Sequence, residues 1–223
     1  MQNPEFVRAA FSSIASRYVA TNHVLSLGID QIWRQRVAQI VAEWAPARLL
    51  DLATGTGDLA LAMKRVLPDT DITGSDFCQP MLDIAAQRGL DQLVCADAMH
   101  LPFPSHSFDT VTVAFGLRNM ANWSKALLEM KRMLRPGGHL LILDFSLPGG
   151  LLRSPYRWYL HHILPFIAGK MTGHREAYDY LAESIETFPS GKDMCSMIQN
   201  AGFCDVKAEP LNGGIASIYR AES

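Results

Sequence analysis

Apolar and polar positions alternate along the chain with two different periods, and the change of period predicts where helices and strands lie. Residues 30–45 place apolar side chains at helical spacing and end at Pro46, and residues 4–19 show a similar pattern. Short apolar runs then predict strands at 48–53, 92–96, 109–115 and 139–145, and the alternation places a further strand at 70–75, which makes five. The segments between them predict helices at 57–66, 79–88 and 123–134. Strands that alternate with helices indicate an α/β fold with a doubly wound, mostly parallel sheet.

The alternation breaks after the fifth strand. Residues 150–172 are aromatic and basic, and regular alternation resumes with a helix near 191–201 and strands near 203–208 and 214–220. We therefore expect a seven-stranded sheet in a single domain over residues 1–223. Residues 1–45 would form N-terminal helices, and residues 150–190 a helical insertion over the sheet.

Composition narrows the classes of function. The chain of 223 residues is 48% hydrophobic with a net charge of −2, so it has a sizeable core and no basic excess for nucleic acid. Its four cysteines form no C-x-x-C pair and no metal-ligand spacing, which predicts no metal site and a reduced, cytoplasmic protein. The start of the chain lacks a signal-peptide pattern, and no run of about 18 uncharged apolar residues predicts a spanning helix.

A glycine turn connects the first strand to the helix after it. Gly55 and Gly57, with Thr56 between them, follow an apolar run that ends in Asp51-Leu52-Ala53. Glycine lets a ligand approach the backbone, and open α/β sheets bind ligands at the carboxyl ends of their strands. The spacing Gly55-x-Gly57-x-x-Ala60 also fits the dinucleotide pattern, so an NAD-binding oxidoreductase stays an alternative at this point.

Acidic residues end the next two strands. Asp76 follows the second strand, where a carboxylate can accept both hydroxyls of an adenosine ribose, although it could instead cap the next helix. Asp97, followed by Ala98, ends the third strand, where a carboxylate can accept from an adenine amino group. Successive strand ends thus predict one nucleoside site.

This ordered set resembles the class I methyltransferases that use S-adenosylmethionine (SAM), and no Tyr-x-x-x-Lys pair of a short-chain dehydrogenase is present. A closer resemblance is to the quinone C-methyltransferases, the family of the demethylmenaquinone and 2-polyprenyl-6-methoxybenzoquinol methyltransferases. Its most specific piece is the loop Phe115-Gly116-Leu117-Arg118-Asn119, with Leu134-Arg135-Pro136-Gly137-Gly138 and Leu143-Asp144-Phe145-Ser146 after it. Further matches lie at Phe11, Ala15, Tyr18, Asn22, Leu25-Ser26-Leu27-Gly28, Trp33-Arg34 and Tyr178-x-Tyr180-Leu181.

The resemblance implies a set of SAM-binding residues. Gly55, Thr56 and Gly57 would lie against the methionine part, Asp76 would hold the ribose, and Asp97 with Ala98 the adenine. Asp51 would orient the amino group through water, and Ala114 would offer its backbone. Thr54 and Ala114 stand where the family usually has glycine and serine, and Asp144 where it has glutamate. Because threonine tolerates positive φ poorly, we expect the turn to differ slightly at Thr54.

The resemblance also implies the reaction, C-methylation of a reduced polyprenyl quinol, demethylmenaquinol above all, in menaquinone or ubiquinone biosynthesis. Arg118 is the candidate that stabilises phenolate character, with the alternative that it ties its loop to a backbone carbonyl or an acid. Asn119 would cap or brace that loop. An O- or N-methyltransferase of another small molecule is the alternative function.

The segment 150–172 has two interpretations. It is either a lid over an isoprenoid tail, with Trp158, Tyr159, Ile163, Leu164, Phe166 and Ile167 as apolar surface, or an ordinary amphipathic helix packed on the sheet. Its aromatic and basic mixture also suits peripheral contact with the inner face of a membrane. A homodimer is compatible with either interpretation.

Overall fold

The computed structural model describes residues 28–165, 169 and 175–223, and of residues 175–179 it describes the backbone only. The helix expected over 4–19, the matches from Phe11 to Leu27, and Phe166 and Ile167 lie outside the described residues. Within them, the chain alternates between strands and helices as its sequence predicts.

The described elements follow one another in the expected order. The strands are β1 (Arg48–Leu52), β2 (Asp71–Asp76), β3 (Gln92–Cys95), β4 (Phe108–Ala114), β5 (Leu134–Phe145), β6 (Cys204–Leu211) and β7 (Ala216–Glu222). The helices are α1 (Ile29–Trp44), α2 (Asp58–Val66), α3 (Gln79–Gln87), α4 (Trp123–Met133), α5 (Arg153–Trp158), α6 (Arg175–Thr187) and α7 (Lys192–Asn200). A π-helical turn, Tyr159–Ile163, continues α5.

The strands form one sheet in the order β3-β2-β1-β4-β5-β7-β6. The first five strands are parallel, and β7 runs antiparallel to both of its neighbours. This confirms the seven-stranded, mostly parallel sheet. Because the chain runs outward from β1 to β3 and then returns to β4, the strand order reverses between β1 and β4. Open α/β sheets bind ligands at such a reversal, beyond the carboxyl ends of the strands.

Both faces of the sheet are covered by helices. Leu50 and Leu52 of β1 face a core formed with α4 and α7, whereas Leu49 faces a second core formed with α1 and α2. All three leucines are at most 1% exposed. Because successive side chains of a strand point to opposite faces, a strand buried on both faces is mostly apolar, and in β1 Asp51 is the buried polar residue.

Strand β5 begins five residues earlier than the predicted 139, and its pairing with β4 shifts register after Phe108. The residues between the predicted helix 123–134 and the predicted strand form an irregularity inside β5, where Gly137 has a φ of +73° and its N–H donates to the Ser223 carbonyl at 3.0 Å. The chain terminus therefore holds these residues in the sheet, a pairing that local sequence does not reveal.

The insertion forms a small core of its own, where Leu160, Leu164, Ala182 and Ile185 pack together beside Phe145. Two of the residues expected to supply the apolar surface of this segment lie in different environments, because Leu164 is buried whereas Trp158 is 57% exposed. No described helix has the length and apolar character needed to cross a bilayer.

Candidate functional site

A cavity of about 470 Å³ opens at the carboxyl ends of the first four strands, where the strand order reverses. Its volume lies in the range of small-molecule sites, roughly 300–1,000 Å³. Its walls include the residues that follow β1, β2, β3 and β4. The strand ends that the sequence singled out therefore meet in one place.

The turn after β1 bends through three residues in the left-handed region, Ala53 (φ +48°), Gly55 (φ +56°) and Gly57 (φ +82°). Thr54 lies between two of them but is outside that region, so the positive φ expected to trouble this threonine falls on Ala53 instead. Gly55 and Thr56 line the cavity, and a Cβ on Gly55 would meet nothing within 4 Å. This stretch of backbone is open to a ligand.

Gly57 packs against Leu90 behind the turn. It is not among the residues that line the cavity, and a Cβ on it would lie 2.5 Å from Leu90 Cδ1. The missing side chain lets the start of α2 pack closely against Leu90. The contact of Gly57 with the methionine part of SAM stays a prediction.

Asp51, at the end of β1, is 1% exposed and lies on the wall of the cavity. Its carboxylate accepts hydrogen bonds from Thr112 Oγ1 at 2.6 Å and Thr54 Oγ1 at 2.7 Å. Burial raises the pKa of Asp51 to about 6, against the lowering effect of both hydroxyls. A buried carboxylate that is ionised above this pKa attracts a cationic group of a ligand, because an opposite charge nearby stabilises its charged form.

Asp76 ends β2 and is 7% exposed. Its carboxylate accepts from the backbone N–H of Gly55 at 2.8 Å and of Cys78 at 2.9 Å, so it links the glycine turn to the start of α3. Burial raises the pKa of Asp76, while these backbone bonds oppose the rise. A carboxylate has about four acceptor positions, so capacity for a ligand's hydroxyl groups remains.

Asp97 and Ala98 follow β3 and also line the cavity, with Ala114 at the end of β4. The Asp97 carboxylate accepts from the Met99 N–H at 2.9 Å and is half-exposed. Apolar walls come from Phe77, Met81 and Met99, residues that the sequence pattern did not single out. The cavity is therefore polar at the strand ends and apolar between them, as nucleoside sites are.

Arg118 lies beside the cavity rather than on its wall, and is 4% exposed. Its Nη1 donates to the Phe115 carbonyl at 2.6 Å and to Asp144 Oδ1 at 2.7 Å. Burial raises the pKa of Asp144, and the Arg118 guanidinium opposes that rise. The structure thus places Arg118 in the arrangement described by the alternative interpretation, tied to a backbone carbonyl and an acid. Any part it has in catalysis stays a prediction.

Asn119 does line the cavity. Its Nδ2 donates to the Phe115 carbonyl at 3.2 Å, and its Oδ1 accepts from the Tyr180 hydroxyl at 3.3 Å. The amide therefore braces its loop, as expected, and also connects the cavity to helix α6. In the sequence, only the family resemblance at Tyr178-x-Tyr180-Leu181 points to Tyr180.

Four polar residues that line the cavity were not predicted as site residues, namely Arg34, Thr54, Asp58 and Ser75. Arg34 of α1 lines the cavity, forms an ion pair with Asp30, and stacks over Phe115 with its guanidinium carbon 5.2 Å from the ring centroid. Ser75 of β2 also lines it, 1% exposed, and its hydroxyl has no partner among the described residues. Arg34 lies on a helix before the first strand, and Ser75 is an uncharged residue beside Asp76, so neither carried the glycine or acidic signal that marked the other positions.

The family model that describes the ubiE/COQ5 methyltransferases matches residues 1–222. A demethylmenaquinone methyltransferase of Thermus thermophilus is 47% identical, covering 94% of this chain and 97% of its own. A ubiquinone/menaquinone biosynthesis C-methyltransferase of Bdellovibrio bacteriovorus is 39% identical over 98% of this chain and 96% of its own.

Solved structures show the same fold at lower identity. A SAM-dependent methyltransferase of Thermotoga maritima superposes with a TM-score of 0.68 at 17% identity, covering 95% of this chain and 97% of its own. Human N-acetylserotonin methyltransferase in complex with SAM superposes with a TM-score of 0.63 at 19% identity, over 96% of this chain and 58% of its own. At such identities the likeness concerns the fold alone.

Proposed function

Because the chain belongs to the ubiE/COQ5 methyltransferase family, we propose that it methylates a ring carbon of a reduced polyprenyl quinol, with demethylmenaquinol as the acceptor. The chain is a SAM-dependent methyltransferase, so the NAD-binding alternative is set aside. One structural observation carries the proposal: carboxylates at three neighbouring strand ends share a cavity with the loop of residues 115–119.

The residues around the cavity fit SAM. The open backbone at Gly55 and Thr56 would receive the methionine part, and Asp76 the ribose hydroxyls. Asp97 and Ala98 would hold the adenine, with the Ala114 backbone beside them. The buried hydroxyl of Ser75, which has no hydrogen-bond partner in the part of the chain that the structure describes, gives independent support, because such a group is costly until a ligand satisfies it. When bound, SAM supplies a methyl group on a sulfonium, which a carbon nucleophile can take by in-line displacement.

A reduced ring is the better acceptor for a physical reason. A quinol ring is rich in electrons and its carbon becomes nucleophilic as the neighbouring hydroxyl loses its proton, whereas a quinone ring is poor in electrons. The protein must therefore hold the ring carbon in line with the methyl group and the sulfur of SAM. It must also stabilise the negative charge that develops on the neighbouring oxygen. Phe115, Gly116 and Asn119 of the 115–119 loop line the cavity, and Asn119 is the one of the three whose polar side chain could bind the acceptor.

Arg118 acts, in this proposal, as a positioning residue. Its positive charge is paired with Asp144 at 2.7 Å, so the field that reaches the cavity is that of a dipole rather than of an isolated cation. Its hydrogen bond to the Phe115 carbonyl holds a residue whose φ is +58°. The arginine thus fixes the shape of the loop that presents Asn119.

The proposal is tested by methyl transfer from labelled SAM to short-tailed demethylated quinones, offered oxidised and reduced, in naphthoquinol and benzoquinol forms. We expect a C-methyl product, identified by mass and fragmentation, from the reduced acceptors and none from the oxidised ones. Equal rates on both redox forms would refute the electron-rich carbon. An O- or N-methyl product would support the alternative acceptor class.

We propose further that the start of the insertion contacts an anionic membrane surface, where a polyprenyl substrate resides. Leu151 is 97% exposed, Leu152 58% and Trp158 57%, and Arg153 lies between them in sequence. The sequence has no Asp or Glu between Asp144 and Glu176. Apolar and aromatic side chains next to cations suit the interface of a bilayer with negative headgroups.

Sedimentation with phosphatidylglycerol vesicles, and with phosphatidylcholine vesicles for comparison, tests this contact. Leu151→Glu with Trp158→Glu should abolish binding, whereas Leu128→Glu, at a residue of α4 that is 56% exposed, should not. Binding that survives the double change would refute the proposed surface. Light scattering of the same preparation measures whether the chain forms the homodimer that stays a prediction.

A further inference from the structure

The charges around the cavity are unbalanced. Four carboxylates line it, those of Asp51, Asp58, Asp76 and Asp97, whereas Arg34 is the basic side chain among the described lining residues. Asp58 already has a cation, because Arg88 Nη1 lies 2.7 Å from its Oδ1. The ligand itself carries two positive groups, a sulfonium and an ammonium, and one negative group, a carboxylate. An acid-rich wall suits the two cations, and the carboxylate needs a positive partner.

The order of strands shows at which end of the cavity Arg34 lies. Going from β3 to β2 to β1, the strand ends present Asp97, Asp76 and Asp51 in turn, and β4 follows with Phe115 just beyond it. Arg34 stacks over the Phe115 ring, so it lies at the β1 and β4 end. Asp51, at the end of β1, lines the same cavity, and the Arg34 charge lowers the pKa of Asp51 against the effect of burial.

We infer that Arg34 binds the α-carboxylate of SAM, and that Arg34 and Asp51 together receive the zwitterionic amino acid part. This rests on the proposed position of the cofactor, with adenosine at the ends of β2 and β3. A cation and an anion at one end of a cavity match an ammonium and a carboxylate on one carbon atom. Arginine suits this task, since its planar guanidinium pairs with carboxylates through two hydrogen bonds.

The competing explanation is that Arg34 only neutralises Asp30. Asp30 is 4% exposed and pairs with Arg34 through Nη1 one helical turn away. A guanidinium has five N–H donors, so this ion pair leaves donors for a ligand. Removing Arg34 alone would take a cation away from the buried carboxylate of Asp30 and could damage the fold. The test therefore also removes that charge, with Asp30→Asn as the parent of Asp30→Asn/Arg34→Met.

The experiment measures, by calorimetry, the dissociation constants of S-adenosylhomocysteine and of its decarboxylated analogue, which lacks only the carboxylate. With Arg34 present, in wild type and in Asp30→Asn, we expect the intact ligand to bind about 10- to 100-fold more tightly, as charge-assisted hydrogen bonds allow. In Asp30→Asn/Arg34→Met that preference should fall to about twofold or less. Arg34→Lys should keep part of it, because the charge stays while the two-bond geometry is lost.

Two controls separate the possible failures. Arg36→Met changes an exposed arginine of the same helix that pairs with Glu209 at 3.0 Å, and it should leave the preference intact. Asp76→Asn should lower the affinity for both ligands by the same factor. If neither dissociation constant changes, the proposed cofactor position is wrong. A wild-type protein that does not distinguish the ligands would overturn the role of Arg34, as would an unchanged preference in Asp30→Asn/Arg34→Met. Should that double variant not fold, an undiminished preference in Arg34→Lys would overturn the two-bond pairing.

Discussion

Replacing Asp51 by asparagine should stabilise the ligand-free protein at neutral pH. The carboxylate is 1% exposed, and burial raises its pKa from 3.8 to about 6 although Thr112 and Thr54 donate hydrogen bonds to it. A charge that is kept at neutral pH in a buried place opposes folding. Asparagine has the same shape, can bond to the same two hydroxyls and carries no charge.

The magnitude follows from the shift. An acid whose pKa is higher in the folded than in the unfolded chain favours folding when protonated, so its contribution is complete below pH 3.8 and is lost as the pH rises towards 6. The shift is about two pKa units, each worth about 1.4 kcal/mol, which gives about 3 kcal/mol in all. About half of that loss falls above pH 5.

Urea unfolding of the ligand-free protein between pH 5 and pH 8 measures the effect. The free energy of unfolding of wild type should fall by about 1.5 kcal/mol more over this range than that of Asp51→Asn. Asp97→Asn, at a half-exposed carboxylate of the same cavity, should follow wild type. Parallel curves for wild type and Asp51→Asn would refute the reasoning. Asp51→Asn should also bind S-adenosylhomocysteine more weakly, because it lacks the negative charge that attracts the ammonium group. The charge that costs stability is thus the one that function needs.

Two further predictions concern the frame of the site. Gly57→Ala should cost about 2–4 kcal/mol, since its Cβ would lie 2.5 Å from Leu90 Cδ1 at a φ of +82°, whereas Gly89→Ala, strained at +97° but with open space, should cost only about 1 kcal/mol. Asp144→Asn should cost about 3 kcal/mol or more because it leaves the Arg118 charge buried without its partner, and Asp144→Glu should cost less. Urea midpoints at one pH measure both comparisons, and equal costs within either pair would contradict its argument.

The sheet could be predicted because its signals are local. Most of the parallel strands are short apolar runs bounded by proline, glycine or a polar turn, and most predicted boundaries lie within one or two residues of the observed ones. Strand β6 ends three residues after its predicted end, and strand β5 shows the largest difference. Its first residues are held by pairing with Ser223 at the far end of the chain, and no local pattern reports such a partner.

The acidic half of the site was equally accessible from the sequence. Parallel strands bring their carboxyl ends to one edge, so Asp51, Asp76 and Asp97 had to converge once the strands were known. Arg34 was not accessible in this way. It lies on a helix before the first strand, and only the packing of that helix on the sheet carries its side chain to Phe115.

Arg118 shows what a motif cannot decide. The sequence placed it in the loop after β4, but the conformation of that loop decides whether Arg118 faces the cavity or the interior, and here it pairs with Asp144. A buried pair of this kind adds little stability compared with apolar residues of the same volume, so stability alone does not account for it. What the pair does hold is Phe115, whose carbonyl accepts from Arg118 and whose ring lies under Arg34. Arg118→Lys keeps the charge but not the fork of donors, so it should leave Phe115 less firmly held. We expect the affinity for S-adenosylhomocysteine to fall several-fold, and turnover to fall with it. Turnover lost at unchanged affinity would instead mean that Arg118 acts on the acceptor itself.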